Sequence, residues 1–302
     1  MRVLVTGATG FIGRTLVPHL LKQPDLHLTL LLREAYGNPQ CLPPHLAASR
    51  AGYEAVYADL RNYRLTARAL RQAAPDAVIH LAAVGATDPF LSIATALAHN
   101  LTGTINLARA AFEASGSARQ LIVARTPGEQ STMNVYAASK AAAWSFCQMF
   151  SRTHGWAIHG AMIFQAYGPH QPAHALIPAA MRAALAGEDF PMTAGTQERD
   201  WVYVRDVAAG LCAMLGRPLR AGETLDLGTG QLTSVADVVR RVYGLVHARL
   251  GNGVGRPLIG ALPSRPGEDR QQVADVRQTR ERLGWETAVS LEAGLDAYLS
   301  SR

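Results

Sequence analysis

The sequence predicts an α/β protein, a doubly wound parallel sheet with a smaller, partly interleaved C-terminal lobe. Three observations carry that prediction. Short apolar runs alternate with longer helical stretches over the first two-thirds of the chain. The runs are almost unbroken in their hydrophobicity, as strands covered on both faces must be. A glycine-rich turn joins the first run to the first helical stretch, and the length of 302 residues accommodates a large sheet domain and a lobe.

In order, RVLVT (2 to 6), LTLLL (28 to 32), YEAVYA (53 to 58), DAVIHL (76 to 81), RQLIVA (119 to 124) and AIHGAMIF (157 to 164) read as strands. Helices are predicted over 11 to 22, 62 to 73, 90 to 115 and 134 to 154, which makes a repeated βαβ pattern. After Gly168 the rhythm changes, and Pro169, Pro172, Pro178 and Pro191 punctuate the chain. WVYV (201 to 204) then reads as a strand, 205 to 215 as a helix and ETLDL (223 to 227) as another strand. A helix at 233 to 250, a Gly/Pro-rich segment at 251 to 268 and a helical tail complete the chain. The expected division is a dinucleotide-type domain over 1 to 167, with 199 to 228 returning to it, and a substrate lobe from 168 to 198 and 229 to 302.

Composition narrows the function. Hydrophobic residues at 48% and charged residues at 17% exclude a disordered chain. No run is apolar enough to cross a bilayer and no signal-peptide pattern precedes MRVLVTG, so a cytoplasmic protein without a membrane partner is expected. The net charge of +6 comes from arginines scattered among acids, with no basic block, which points away from nucleic acid and toward the phosphates of a small ligand. Cys41, Cys147 and Cys212 show no metal-ligand spacing, so reduced thiols and no metal are expected.

Gly7, Gly10 and Gly13 in VTGATGFIG lie where the first strand opens the first helix. There the turn needs a residue free of Cβ, backbone must approach a pyrophosphate, and the phosphate rests on the helix N-terminus. Phe11 and Ile12 lie within the same turn and count as cofactor candidates. The end of the second strand chooses between nicotinamide cofactors, since an acid binds the ribose diol and an arginine accepts a 2′-phosphate. LLLRE places Arg33 there with Glu34 next, which favours NADP(H), with NAD(H) the alternative if Glu34 turns inward. Asp59, followed by Leu60, is a candidate for the adenine amino group or an ordinary turn-forming residue.

Of 29 basic residues, 27 are arginine and two are lysine, Lys22 and Lys140. Arginine serves wherever a fixed charge is wanted, whereas a compact ammonium that shifts its pKa must be lysine. Lys140 follows Tyr136 by four residues on a predicted helix, so the two share a face. A phenol ionises near pH ~10, and a neighbouring ammonium favours its phenolate, so the pair forms a proton-transfer device.

With these residues in place the chain resembles the extended short-chain dehydrogenase/reductase superfamily, its nucleotide-sugar (epimerase/dehydratase) branch. The resemblance is carried by TGATGFIG, ADLRN (58 to 62), HLAA (80 to 83), NLTGTINLARAA (100 to 111), YAASK (136 to 140), YGP (167 to 169), RDWVYVRDVA (199 to 208) and PGEDR…AD…LGW (266 to 285). It implies a Rossmann fold with Tyr136 as acid/base and Lys140 lowering its pKa while binding the nicotinamide ribose. It also implies that Leu81, Ala82 and Ala83 line the cofactor and that Asn100 supports the site. The third catalytic residue is a hydroxyl at the end of the fifth strand, for which Thr126 is the match and Ser131 and Thr132 are rivals. About ten residues separate Thr126 from Tyr136, a shorter loop than the branch usually has.

For the substrate, a nucleotide-diphosphate sugar, the resemblance assigns Arg199 and Arg270 to the diphosphate, a task suited to a guanidinium fork. Thr87, Gln165 and His170 are further substrate candidates. Phe190, Pro191 and Met192 pack on the nucleobase or form an apolar core strand. Gln165 stands where the branch has Asn, and Met162 where it has Arg. Dehydratases of the branch carry Thr-Asp-Glu at the fifth-strand end, because eliminating water needs an extra acid and base. Here Pro127 and Gly128 follow Thr126, so that equipment is missing unless Glu129 swings in. The closest pattern is that of the nucleotide-linked 4-keto-6-deoxyhexose reductases, so NADPH-dependent reduction at C4 is expected. A 4-epimerase is the alternative, a 4,6-dehydratase or a non-nucleotide carbonyl reductase a weaker one, and a non-catalytic dinucleotide sensor the alternative of another class. Branch members pair through helices matching 90 to 115 and 134 to 154, so a homodimer is expected.

Overall fold

A computed structural model describes residues 1–251, 255–264 and 267–301. β1 (Arg2–Thr6), β2 (His27–Leu32), β3 (Glu54–Tyr57), β4 (Ala77–His80), β5 (Gln120–Arg125), β6 (Ile158–Ile163) and β11 (Thr224–Leu227) form one seven-stranded sheet in the order β11-β6-β5-β4-β1-β2-β3. Every pairing in it is parallel. The order runs outward from β1 in both directions, so the chain reverses beside β1 and opens a crevice at the carboxyl ends of β1 and β4. This is a Rossmann-like sheet, as the run of apolar strands predicts.

Helices cover both faces. α1 (Phe11–Leu20), α2 (Pro44–Ala48) and α8 (Val204–Ala213) lie on one side, where Leu16, Leu30, Ile122, Val207 and Leu211 share a core. α3 (Tyr63–Ala73) and α6 (Val135–His154) lie on the other, around Leu4, Leu70, Val78, Leu121 and Trp144. The predicted helix over 90 to 115 begins as α4 (Ile93–Ala96), capped by the Ser92 side chain. It passes through a π-helical turn at Leu97–Thr102 into α5 (Gly103–Arg109) and ends in a second π-turn at Ala110–Ser115. Such wide turns cluster at functional sites, and the first one contains Asn100.

The remaining strands leave the large sheet. β7 (Gln165–Tyr167) pairs with β10 (Trp201–Tyr203); β8 (Phe190–Met192) with β13 (Pro257–Ile259); and β9 (Glu198–Arg199) lies between β12 (Thr233–Ser234) and β14 (Gln271–Gln272). WVYV is therefore a strand, as expected, but one tied to Gln165–Tyr167 and, through Trp201 Nε1, to the Thr233 carbonyl at 3.0 Å. A third core forms where α7 (Leu176–Leu185), α9 (Val235–Leu250) and α11 (Leu291–Ser300) meet, around Met181, Val239, Val242 and Leu295. α10 (Val276–Leu283) packs beside β11. Pro266 of the PGEDR motif lies outside the described residues. No described helix is long and apolar enough to cross a membrane.

Candidate active site

The crevice beside β1 is a cavity of about 230 Å³ whose floor is the glycine turn. Gly7 has φ +77°, and a Cβ there would stand 2.6 Å from the Ala82 nitrogen. A Cβ on Gly13 would lie 2.6 Å from the Ala8 Cα. Both positions exclude any side chain, because the turn closes on β4's extension and on itself. Gly10 is the N-cap of α1 and no side chain caps that end, so its first amides stay available to a ligand.

Gly7, Gly10, Arg33, Asp59, Leu60, Leu81, Ala82 and Ala83 all line this crevice. Phe11, Ile12 and Gly13 form the helix start behind it. Thr9, Tyr36, Val84 and His99 line it too, without having been singled out from sequence; Tyr36 carried a signal, an aromatic three residues after Arg33. The Arg33 guanidinium reaches the Tyr36 hydroxyl at 3.4 Å, while Glu34 lines a separate surface cleft with Arg61 and Arg64. The Asp59 carboxylate takes two hydrogen bonds from Arg61 Nε, at 3.0 and 2.9 Å, which hold it below its usual range.

A buried network fastens the crevice floor to the helices. His80 is 1% exposed, and burial with the nearby Lys140 charge lowers its pKa to about 3, so it is neutral. Thr104 gives its hydroxyl proton to the Asn100 carbonyl at 2.6 Å, so His80 Nε2–H donates to Thr104 Oγ1 at 2.9 Å and Nδ1 accepts from Thr6 Oγ1 at 2.7 Å. Asn100 grips the Val84 backbone, accepting from its N–H at 2.9 Å and donating to its carbonyl at 3.0 Å. It also donates to Ser139 Oγ at 3.0 Å, and Ser139 donates to the Tyr136 carbonyl at 2.7 Å. Asn100 thus joins the floor to α6 rather than lining the crevice.

Tyr136 and Lys140 share one face of α6, whose N-cap Asn134 accepts from the Ala137 N–H. Lys140 is 4% exposed and has no hydrogen-bond or ion-pair partner among the described residues. Its burial lowers its pKa, opposed by the nearby Glu129. Tyr136 is raised to about 12 by burial and then by Glu129. In the protein alone the phenol is thus held above its ordinary range, because desolvation of the phenolate and a like charge both disfavour its ionisation. Of the three hydroxyl candidates, Thr126 follows β5 directly and forms a capping box with Glu129. Ser131 instead donates to Asp269 Oδ2 at 2.8 Å, and Thr132, at φ +49°, donates to the Ser131 carbonyl.

The substrate candidates do not converge equally. Thr87 is exposed and bonded to His174 at 2.8 Å. Gln165 is exposed on β7. His170, at φ +71°, lies by Arg14 and His45 alongside the glycine turn, and its burial and the Arg14 charge lower its pKa. Arg199 is buried, donating to Glu268 at 3.2 Å and to the Glu198 carbonyl at 2.8 Å, with exposed Arg270 on the adjoining segment. Met192 is corrected: at 4% exposure it packs in the third core with Ala236 and Val239, the core-strand reading of Phe190–Met192. Phe190 packs against the same core and Pro191 faces out.

The sequence matches the model of the NAD dependent epimerase/dehydratase family over residues 3–228. That span is well over half the chain. The chain belongs to the NAD-dependent epimerase/dehydratase family. A relative, dTDP-glucose 4,6-dehydratase of Xanthomonas campestris pv. campestris, is 28% identical over 330 residues, covering 99% of this chain and 93% of that protein. The UDP-glucose 4-epimerase of Thermotoga maritima, solved with UDP-glucose, superposes with a TM-score of 0.83 at 22% identity, covering 99% and 98% of the two chains. The UDP-glucose 4-epimerase of Thermus thermophilus, solved with NAD, gives 0.79 at 27% identity with the same coverage.

For a member of this family the group to test against the site is a nicotinamide dinucleotide, and the residues fit it. Gly7 and Gly13 make a cradle that any Cβ would fill, the start of α1 offers uncapped amides, and Lys140 is a buried ammonium lacking a protein partner among the described residues. The chain is accordingly an enzyme of the nucleotide-sugar branch, related to epimerases and dehydratases and not to reductases in particular.

Proposed function

We propose that this enzyme carries out reversible hydride exchange at C4 of a nucleotide-diphosphate hexose, with 4-epimerisation as the net reaction. The nicotinamide, when bound in the crevice, supplies the hydride chemistry. Tyr136 takes the proton from the sugar hydroxyl and returns it to the carbonyl oxygen, Lys140 orients the ribose and stabilises the phenolate, and Thr126 hydrogen-bonds the reacting oxygen. One observation carries the choice. Among the described residues the carboxylates beside the end of β5 are engaged: Glu129 is 1% exposed and paired with Arg125 at 2.8 Å, and Asp269 accepts from Ser131 and Gln272, which leaves no free acid and base there for eliminating water. Arg270 meets the diphosphate in the lobe of 168 to 198 and 229 to 302, with Arg199 behind it. Exposed Ile93, Leu97 and Phe146 on the helices beside the site support a homodimer, which light scattering measures.

A second reading, one-way reduction of a 4-keto-6-deoxy sugar by NADPH, is favoured by Arg33 lining the crevice while Glu34 faces elsewhere. Incubation with UDP-glucose or dTDP-glucose, followed by NMR, tests the first: the C4 epimer appears without added cofactor being consumed. Stoichiometric NADPH oxidation with a dTDP-4-keto-6-deoxy sugar, and no epimer, replaces it with the second. A 4-keto-6-deoxy product from dTDP-glucose overturns both. Tyr136→Phe abolishes either activity, and Lys140→Arg loses most of it although the charge is kept.

A further inference from the structure

At the end of β5 a buried carboxylate, Glu129, and a partly buried guanidinium, Arg125, pack against the helix that carries Tyr136. Glu129 Oε2 accepts from Arg125 Nε at 2.9 Å and Nη2 at 2.8 Å, and Oε1 accepts from the Thr126 N–H at 3.0 Å. The Arg125 guanidinium has two further anchors: Nη1 donates to Thr224 Oγ1 on β11 at 2.9 Å, and its centre lies 4.4 Å from the Trp144 ring on α6. The turn carrying Glu129 rests on the first turn of α6, where a Cβ on Gly128 would stand 3.5 Å from the Ala137 Cβ. Among the described residues, the charged and titratable groups that act on Tyr136 and Lys140 are Glu129 from the turn after β5, Arg125 from β5, His80 from β4 and Cys147 from α6 itself. Glu129 is the sole anion among them. His80 is neutral, and burial raises the Cys147 thiol to about 12.

A buried ion pair adds little stability by itself, because desolvating two charges offsets their attraction. Four elements nevertheless hold this one in a single geometry: β5, its turn, β11 and α6. We propose that Glu129 is a positioning residue that keeps the proton on Tyr136 and on Lys140, and that Arg125 fixes where this anion stands. The carboxylate disfavours a phenolate beside it and favours an ammonium, and both effects follow from its sign alone. With burial and then Glu129 both disfavouring the phenolate, Tyr136 is a phenol at rest, poised to donate a proton to a carbonyl oxygen. Abstracting a proton from a sugar hydroxyl then waits on positive charge arriving with the bound nicotinamide. The pair therefore makes the oxidative half-reaction depend on cofactor loading.

The inference rests on the reading of Tyr136 as acid and base, but its test needs neither substrate nor cofactor and so is decided separately. In the cofactor-free protein, phenolate absorbance is followed up to the highest pH at which circular dichroism shows the fold intact, and subtracting a Tyr136→Phe variant isolates the residue. Glu129→Gln is expected to raise the Tyr136 phenolate fraction at fixed pH about tenfold, as a midpoint lowered by about one pH unit requires. Arg125→Met combined with Glu129→Met fills the same volume without charge and is expected to move it in the same direction, which covers a single variant that does not fold. Thr224→Val, which leaves Glu129 in place, gives no shift. A phenolate fraction unchanged in both Glu129 variants overturns the proposal and leaves the pair a structural clamp.

Discussion

The two sides of the cleft are built by different means. On the dinucleotide side the shape is made by backbone: a Cβ on Gly7 would come within 2.6 Å of Ala82 and one on Gly13 within 2.6 Å of Ala8 in the same turn, and the Asn100 side chain grips the Val84 main-chain amide and carbonyl. On the lobe side the side chains are committed to one another. Arg199 is bonded to Glu268, Ser131 to Asp269, and Met192 packs under α9. A cradle of backbone requires small residues at fixed spacing and leaves its mark in the sequence. A lobe stabilised by paired side chains does not, because an arginine that serves a neighbouring carboxylate looks the same as one that awaits a phosphate.

If the lobe depends on side-chain packing, the largest response to a single truncation lies there. Met192→Ala removes a buried side chain from the core shared by α7 and α9 and is expected to lower stability by about 3 kcal/mol, measured by urea denaturation, with dinucleotide affinity unchanged. A variant of normal stability that loses sugar-nucleotide affinity would return Met192 to the substrate site. Gly13→Ala is the converse. The added methyl forces the turn apart at a stability loss of about 2 kcal/mol, and dinucleotide binding by calorimetry falls more steeply than stability does. If binding survives in the folded variant, the cradle tolerates bulk and the contrast between the two sides fails.

The same contrast explains what was legible beforehand. The inner strands of the large sheet are readable because burial on both faces makes them continuously apolar; the edge strands β3, with only Val56 buried, and ETLDL, where Leu225 and Leu227 are fully buried, mix polar and apolar residues and are read with the help of their place in the βαβ rhythm. WVYV is as apolar as any of them yet pairs with β7 outside the sheet, since apolarity specifies burial and not the partner strand. In the site, glycine spacing and the Tyr136 to Lys140 interval are local and could be read. Glu129 could not, because what matters is the distance of its carboxylate from α6, which depends on a turn closed by Arg125 and Thr126. His80 was legible as part of HLAA, but its role as a neutral bridge between Thr6 and Thr104 depends on three elements meeting.

The smallest expected effect probes a side chain that faces the ligand on the backbone side. Arg33 lines the crevice with Tyr36, and the nearest acids are engaged elsewhere: Asp59 holds Arg61, and Glu34 lines the neighbouring cleft. A guanidinium so placed suits a 2′-phosphate, whereas NAD gains nothing from it. Arg33→Ala is therefore expected to weaken NADPH binding about tenfold, ~1.4 kcal/mol, and to leave NADH binding unchanged, by calorimetry or nicotinamide fluorescence. Equal loss for both cofactors would mean that Arg33 serves the adenine or the loop through Tyr36. No loss for either would move phosphate recognition to Arg61, whose release from Asp59 would then be the step that selects the cofactor.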